Sequence, residues 1–365
     1  KGSAKLSTDL SVRPASAFVT LVQSGTAVGA GELKSQLNAY PNFAQSSLTV
    51  SATPWAFASG LMQYLEQYPH GCTEQITSQT FPSVLLASRP ELAAEFAKAR
   101  HNGAAPGKDG PPDLRKQAEQ TLARYLTQLR ARQTPEGGFA LWPGNGADPF
   151  ATLYALHLLI EARDRKLTVP PDMVQKASIY LQGWLGRSEN HLYHWRQRTQ
   201  AAYLLTRQGM LIPAVLADLR EAWRNDQARG YGGDLGAVYL AASYQLIKQD
   251  TMAAELLQPV WADLQDRVAK KTRRNVWDYY YDPLVHDSML MHLVAKHFPQ
   301  RLKTLPTSAW TRTAEQLRDG WYNSLSSASL LLAIDAYQDA ARDNTQGKLS
   351  ATVIEPKKRG SMLAD

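Results

Sequence analysis

The sequence predicts an all-α fold, an α/α toroid of six helical hairpins (an α6/α6 barrel) with short β segments at both ends, and three observations lead there. Between Pro54 and Arg342 the apolar residues recur close to every 3.6 positions, as at Leu153, Leu156, His157 and Ile160 and again at Leu317 and Trp321. Alanine- and leucine-rich stretches that are apolar all round alternate with polar stretches that carry one apolar face. Glycine- and aromatic-rich loops recur before the first kind.

Taken in order, residues 1–52 differ in texture from the rest. The β-favouring runs 17–22 and 47–50 are separated by SGTAVGAG and a polar loop, which predicts strands. Residues 53–343 are the helical domain. Helix starts are expected at Thr53-Pro54, Pro112-Asp113 and Pro170-Pro171-Asp172, and near Ser83 and Asp234, because proline suits the first helical turn and small polar side chains cap its free N–H groups. Residues 344–365 are a returning β segment and tail, with an alternating, β-branched stretch at 348–354 broken by PKKRG.

Within the helical part, GGFALWPG, HLYHW, RGYGGD, VWDYYYDP and GWYNS each precede an apolar helix, and PHGCTEQ precedes another, making six. Trp195, Tyr231, Trp277 and Trp321 fall 36, 46 and 44 residues apart. Six one-faced helices are expected around 54–66, 114–132, 171–185, 211–224, 250–268 and 300–318. Helices apolar all round must be covered on both sides, so the two kinds form two concentric layers, and six hairpins close naturally into a toroid. An open α-solenoid is the other arrangement this pattern allows. In the toroid the loops share one end, which gathers Trp142, Trp195, Tyr231, Trp277 and residues 279–281 near the helix that Cys72 begins.

Composition narrows the function. With 365 residues and 44% apolar content the chain can build a large core. The net charge of +7 and pI of 9.3 would suit nucleic acid if the cations clustered. The densest groups, 124–132 and 270–274, are instead expected on solvated faces, so no nucleic-acid partner is expected. No apolar run reaches the roughly 18–20 residues of a membrane span, and KGSAKLST has no apolar region of a signal peptide behind it. One cysteine excludes an intrachain disulfide, so Cys72 is either inert packing or chemistry. The eight histidines form no HExxH or paired spacing, so no metal and no cofactor are expected.

The informative stretch is YLEQYPHGCTEQ, residues 64–75. Gly71 breaks the preceding segment and Cys72 begins an apolar helix. At i and i+3 of a first turn, the Cys72 sulfur and the Gln75 carboxamide share one side. A helix N-terminus favours the thiolate, and its free N–H groups can hold an oxyanion. Attack of the sulfur on the Gln75 carbonyl with loss of ammonia closes a thiolactone. An amide is a poor electrophile, but enforced proximity contributes about 7–11 kcal/mol, which makes the closure feasible. The product persists only where water is excluded.

YPHGCTEQ resembles the Gly-Cys-x-Glu-Gln signature of the alpha-2-macroglobulin and complement thioester proteins, and the YLEQYPHG lead-in with Thr73 resembles the bacterial branch. Many members carry glycine where Thr73 stands. The likeness covers essentially all of residues 54–342, and the flanking β segments look like pieces of the adjoining β-sandwich-type (CUB or macroglobulin-like) domain. The resemblance implies a broad-spectrum protease inhibitor rather than an enzyme: cleavage of a bait segment elsewhere exposes a Cys72–Gln75 thioester, and a surface amine of the protease attacks it. It also implies neighbouring domains of a longer inhibitor as partners, and a periplasmic home with an inner-membrane lipid anchor.

Around the motif, Gly71 and Glu74 complete the signature. Tyr68 is expected either to close the first helix or to shield the thioester, with Trp142 as a second shield. Glu74 reads as a surface residue whose charge suits a helix N-terminus. His191 and His194 precede the third apolar helix, roughly where complement members place a histidine that redirects transfer toward hydroxyls; they are candidate transfer bases or solvated loop residues. His70 reads as structural. Two other functions compete. One is an α/α-toroid enzyme, a cyclase or glycosidase, since residues 133–139, QTPEGGF, resemble the glutamine–aromatic turn of terpene cyclases. The other is a helical binding module using the aromatic rim. No Asp-x-Asp-Asp motif or acid pair supports the enzyme.

Overall fold

A computed structural model describes residues 22, 51, 53–90, 92, 113–186, 191–226, 230–274, 278–305 and 308–341. Among these residues lie twelve α-helices: α1 (Ala58–Glu66), α2 (Thr73–Leu86), α3 (Leu114–Arg130), α4 (Pro149–Asp164), α5 (Pro171–Leu185), α6 (Leu192–Arg207), α7 (Pro213–Asn225), α8 (Leu235–Leu246), α9 (Asp250–Lys270), α10 (Pro283–His297), α11 (Ser308–Arg318) and α12 (Ser324–Ala340). Short 3-10 turns at Pro54–Phe57, Tyr231–Gly233 and Pro299–Thr304 lead into α1, α8 and α11. The strands expected at 17–22, 47–50 and 348–354 lie outside the described residues, Val22 apart. Val22 donates its N–H to the Tyr322 hydroxyl (3.1 Å) and its side chain lies close against Gly60 of α1.

The helix starts follow from local chemistry. Asp113, Asp148, Asp234, Asp282 and Asn323 each accept a first-turn N–H through the side chain, at 2.7–3.1 Å. Each such cap is worth about 1 kcal/mol because it satisfies a donor the helix leaves free. Proline opens α4, α5, α7 and α10 with its fixed φ. Ser83 is a correction: it starts nothing and lies inside α2, directly after Pro82, because tertiary packing carries the helix through the proline to Leu86.

Two kinds of helix are evident in burial. In α4 every residue from Phe150 to Ala162 is buried, and in α8 every residue from Leu235 to Tyr244. In α3 only Ala118, Leu122, Tyr125 and Leu129 are buried, and in α7 only Leu216, Leu219 and Trp223, a single stripe at helical spacing. The even-numbered helices touch in sequence, α2 with α4, α4 with α6, α6 with α8, α8 with α10, α10 with α12, and α12 again with α2. The odd-numbered helices lie against them: α1 on α2 and α12, α3 on α2, α5 on α4 and α6, α7 on α6 and α8, and α9 on α8.

Two glycines are dictated by close approach. A Cβ on Gly236 would stand 2.4 Å from the Trp195 ring, so only glycine lets α8 pack there. Gly137 has φ +95° and would place a Cβ 2.4 Å from the Lys176 carbonyl oxygen. In the same turn Gln133 Nε2 donates to the carbonyls of Gly137 (3.0 Å) and Met173 (3.1 Å), tying the loop to α5. QTPEGGF is therefore a structural clamp here, fixing the loop after α3 against α5.

The end of the ring away from Cys72, where α4, α6 and α10 finish, holds a buried ionic cluster. Glu161, fully buried, accepts from Arg165 (2.5 Å), Arg207 (2.7 Å) and Lys296 (2.7 Å). Asp335 of α12 pairs with Arg89 (2.9 Å) and Arg165 (2.5 Å). His157 and His292 approach Glu161 closely enough to suggest a metal-ligand set. Three cations already share that carboxylate, however, and their field opposes a further cation.

Candidate functional site

The α1–α2 connection is pinned from within. Gln79 Nε2 donates to the carbonyls of Tyr68 (2.9 Å) and His70 (3.1 Å), holding the turn that presents Cys72 against the first turns of α2. Cys72 is the N-cap of α2 in extended backbone, and it caps reciprocally with Gln75. The Cys72 N–H donates to Gln75 Oε1 (2.9 Å), while the sulfur faces the Gln75 N–H. This is a capping box with sulfur in place of the usual hydroxyl. Its consequence is chemical: the i, i+3 relation read from sequence becomes a direct bond, with a backbone donor already on the glutamine carbonyl.

Thr73 anchors the start of α2 to the loop after α3. Fully buried, it donates its N–H to the Leu141 carbonyl (2.9 Å) and its hydroxyl to the carbonyls of Ala140 (2.6 Å) and Leu141 (3.1 Å). Thr77, one turn on, meets the Tyr125 hydroxyl of α3 at 3.0 Å. From the same loop Arg132 donates to the Gly71 carbonyl (2.8 Å) and the Gln128 carbonyl (2.9 Å). Gly71 serves through that carbonyl, for a Cβ there would meet only an Ile76 methyl at ordinary contact, 3.7 Å.

Glu74 is not a surface residue. It is 7% exposed and accepts from Ser78 (2.8 Å) and, through both oxygens, from Ser324 of α12 (3.0 Å each). Burial raises its carboxyl above the ordinary value, against the lowering effect of the two serine bonds. Ser78 also meets the Tyr154 hydroxyl of α4 at 2.9 Å, so Glu74 sits where α2, α4 and α12 converge.

Burial pushes the half-buried Cys72 thiol up, and the Glu74 charge adds to this; the Gln75 and Glu74 N–H groups and the Arg132 charge oppose it. Burial likewise raises the Tyr280 phenol, with the charges of Asp148, Cys72 and Glu74 acting in the same direction. Tyr280 lies flat on Phe150, ring centroids 3.7 Å apart. It is thus the member of the 279–281 run electrostatically coupled to the cysteine. Tyr279 is 85% exposed, while Tyr281 is buried, donating to Gln200 (2.9 Å) beneath the Arg196 guanidinium.

The other expected residues are spread around this centre. The Tyr68 ring packs edge-on against Tyr64 and His70. Trp142 is 48% exposed and directly follows Leu141, the residue bonded to Thr73. His191 caps α6, its Nδ1 accepting the Tyr193 N–H (3.2 Å), and the His194 ring lies 5.5 Å from that of Tyr193. Tyr193 in turn meets the rings of Tyr279 and Tyr281. Trp195 and Tyr231 pack against each other in the core with their rings tilted by 43°, Trp195 Nε1 donating to the Leu219 carbonyl, and are structural. Trp277 lies outside the described residues.

Sequence reasoning missed Arg132 and Tyr280 as individuals. Arg132 ends a cationic run expected to be solvated, yet it is buried, and Arg274 at the end of the second run is largely buried too, paired with Asp263. Nothing in a row of arginines says which one turns inward.

Fold and site together define a helical domain that presents a cysteine and a glutamine, hydrogen-bonded to each other, at one helix start. No sequence-family profile matches the chain. It is 33% identical over 367 residues to the alpha-2-macroglobulin of Rickettsia conorii, covering 99% of this chain and 18% of that protein. It is 31% identical over 362 residues to the alpha-2-macroglobulin homolog of Yersinia pestis, covering 98% of this chain and 17% of that protein. Among solved structures, native Escherichia coli alpha-2-macroglobulin from domain MG7 to the C-terminus is similar in fold, with a TM-score of 0.56 at 23% identity over 76% of this chain and 42% of that one. The chain belongs to the bacterial alpha-2-macroglobulin family. It spans less than a fifth of the length of these curated relatives.

Proposed function

We propose that this chain is the thioester-bearing α/α-toroid domain of a broad-spectrum protease inhibitor, and that Cys72 and Gln75 form the bond that captures an attacking protease. The observation that carries the reading is the reciprocal cap, which holds the Gln75 carbonyl on the Cys72 N–H at 2.9 Å with the sulfur on the same helical turn. To form the thioester, Sγ bonds to Gln75 Cδ, and the thiol proton and the amide nitrogen leave together as ammonia. The N–H that now holds Oε1 holds the oxyanion of the tetrahedral intermediate, as a preorganised backbone donor does. In capture, a lysine amine of the protease bonds to Cδ, the Cδ–Sγ bond breaks, and Cys72 is freed as Gln75 becomes amide-linked to the target. Each domain acts once, so the protein is an inhibitor and not a turnover enzyme.

Several features favour this chemistry over inert packing. Thr73, Glu74 and Gln79 fix the helix start to the loop after α3, to α12 and to the α1–α2 turn respectively, which limits the motion of the reacting pair. The ring of contacts among the even-numbered helices is what a closed toroid requires. Tyr68 and Trp142 are assigned as shields against water, with Tyr280 added because of its coupling to Cys72. The periplasm, through a lipid anchor and further domains of the inhibitor, is the proposed setting. The targets are proteases that cleave its bait segment.

The test is an intact mass under native handling, which is expected to fall short of the encoded mass by one ammonia. Cys72→Ser and Gln75→Ala are each expected to fold and to lose both methylamine incorporation and SDS-resistant conjugates with protease. Undiminished conjugates from Cys72→Ser would refute the mechanism.

A further inference from the structure

We propose that Arg132 is the counter-charge of the Cys72 sulfur, its buried guanidinium stabilising the thiolate that departs when the thioester opens. The proposal rests on the thioester reading above and adds a residue that neither the motif nor the repeat pattern singles out.

Arg132 is 9% exposed. Arg89, Arg196 and Arg267 are as deeply buried, and each has a carboxylate, Asp335, Asp234 and Asp287 respectively. Arg132 has none among the described residues. Its Nη1 and Nη2 are spent on the carbonyls of Gln128 and Gly71, and its Nε is buried without a partner. A buried cation without an opposing charge is costly, so the fold must gain something by keeping it there. The Gly71 bond brings the guanidinium to the residue adjoining Cys72. The joint is rigid on both sides: the Ala140 N–H donates to the Arg132 carbonyl (2.9 Å), and Thr73 donates to the Ala140 and Leu141 carbonyls.

The charge balance of the site gives this cation its use. Burial and Glu74 both resist a negative sulfur, and Tyr280 offers it no cation. Tyr125, behind Arg132, is itself held neutral by burial. Opposing them are the backbone N–H groups and Arg132. When an amine opens the thioester, its nitrogen bonds to Gln75 Cδ, the Cδ–Sγ bond breaks, the electron pair leaves on Sγ, and the amine proton passes to water. The charge that develops on Sγ is met by Arg132, which speeds departure of the leaving group.

The test uses the whole protein as wild type, Arg132→Gln and Arg132→Lys. Methylamine uptake is timed at fixed pH, and the freed Cys72 is then alkylated with iodoacetamide across a pH series. Arg132→Gln is expected to raise the alkylation midpoint by about one unit, a tenfold smaller thiolate fraction below it, and to slow methylamine uptake about tenfold. Arg132→Lys keeps the charge and is expected to restore most of both. An unmoved midpoint in Arg132→Gln with normal uptake by the wild type overturns the assignment. So does an equal shift in Arg132→Lys, which would mark a role in holding the loop alone. If the wild type takes up no methylamine, the thioester reading itself falls, and the leaving-group role with it.

Discussion

Replacing Thr73 by valine tests whether the start of α2 is held by its hydroxyl. Valine keeps the shape of a fully buried side chain and removes the donor to the Ala140 carbonyl at 2.6 Å and the Leu141 carbonyl at 3.1 Å. Leu141 retains the Thr73 N–H, so the loss falls on Ala140, itself buried. One lost hydrogen bond that leaves a buried acceptor unsatisfied costs about 1–3 kcal/mol. For a helical domain of about 290 residues, about 2 kcal/mol lowers the melting temperature by roughly 3 °C. The loop carrying Arg132, Leu141 and Trp142 should also loosen on Cys72, so methylamine uptake before any protease is added should quicken. Differential scanning fluorimetry and timed methylamine incorporation measure the two effects, and Thr73→Ser should recover both. Melting of Thr73→Val within about 1 °C of wild type would refute the reasoning, because it would mean that the bond contributes nothing net.

Tyr68→Gly is expected to hydrolyse and to take up methylamine faster in the uncleaved inhibitor with little change in melting. Tyr125→Gly, which removes a buried ring bonded to Thr77, should instead melt several degrees lower; a Tyr68→Gly protein no more reactive than wild type moves the shield to Trp142 or Tyr280. If His191 or His194 is a transfer base, its alanine variant loses transfer to glycerol and keeps transfer to methylamine, whereas a wild type indifferent to glycerol makes both bystanders. Acid should destabilise the fold. Burial first, then the charges of Lys296 and Arg207, lower His297 from 6.5 to about 3, so the unfolded chain takes up the proton first and stability present above pH 6.5 is lost as pH falls. From pH 7.5 to 5.0 this one group accounts for about 2 kcal/mol, and burial lowers His157, His286 and His292 in the same direction. His297→Gln should therefore lose less melting temperature on acidification than wild type, and an equal loss in the two proteins would contradict the assignment.

The helical plan was legible because helices carry their own periodicity. An element buried on every side has to be apolar on every side, so the two layers could be told apart from Phe150–Ala162 and Ala118–Leu129 without knowing what each touched. The starts were legible for a similar reason, since Asp113, Asp234 and the proline pairs act on the residues next to them. Ser83 misled because its local signal is the same as a cap's, and only packing against neighbouring helices carries α2 past Pro82.

What the sequence determined by itself about the site is the pair proposed to react. Cys72 and Gln75 are three residues apart on one helical turn, and that spacing places sulfur and carboxamide together whatever surrounds them. Tertiary structure alone decided the rest of the site, because the rest comes from chain segments far away in sequence. Glu74 looked solvated until Ser324, 250 residues on, was found to close over it. Arg132 looked like one cation in a solvated run until the loop after α3 folded it under Gly71. A charge in a row of charges is assigned its neighbour by the fold, and the energy of burying it is visible only when that neighbour, or its absence, is known.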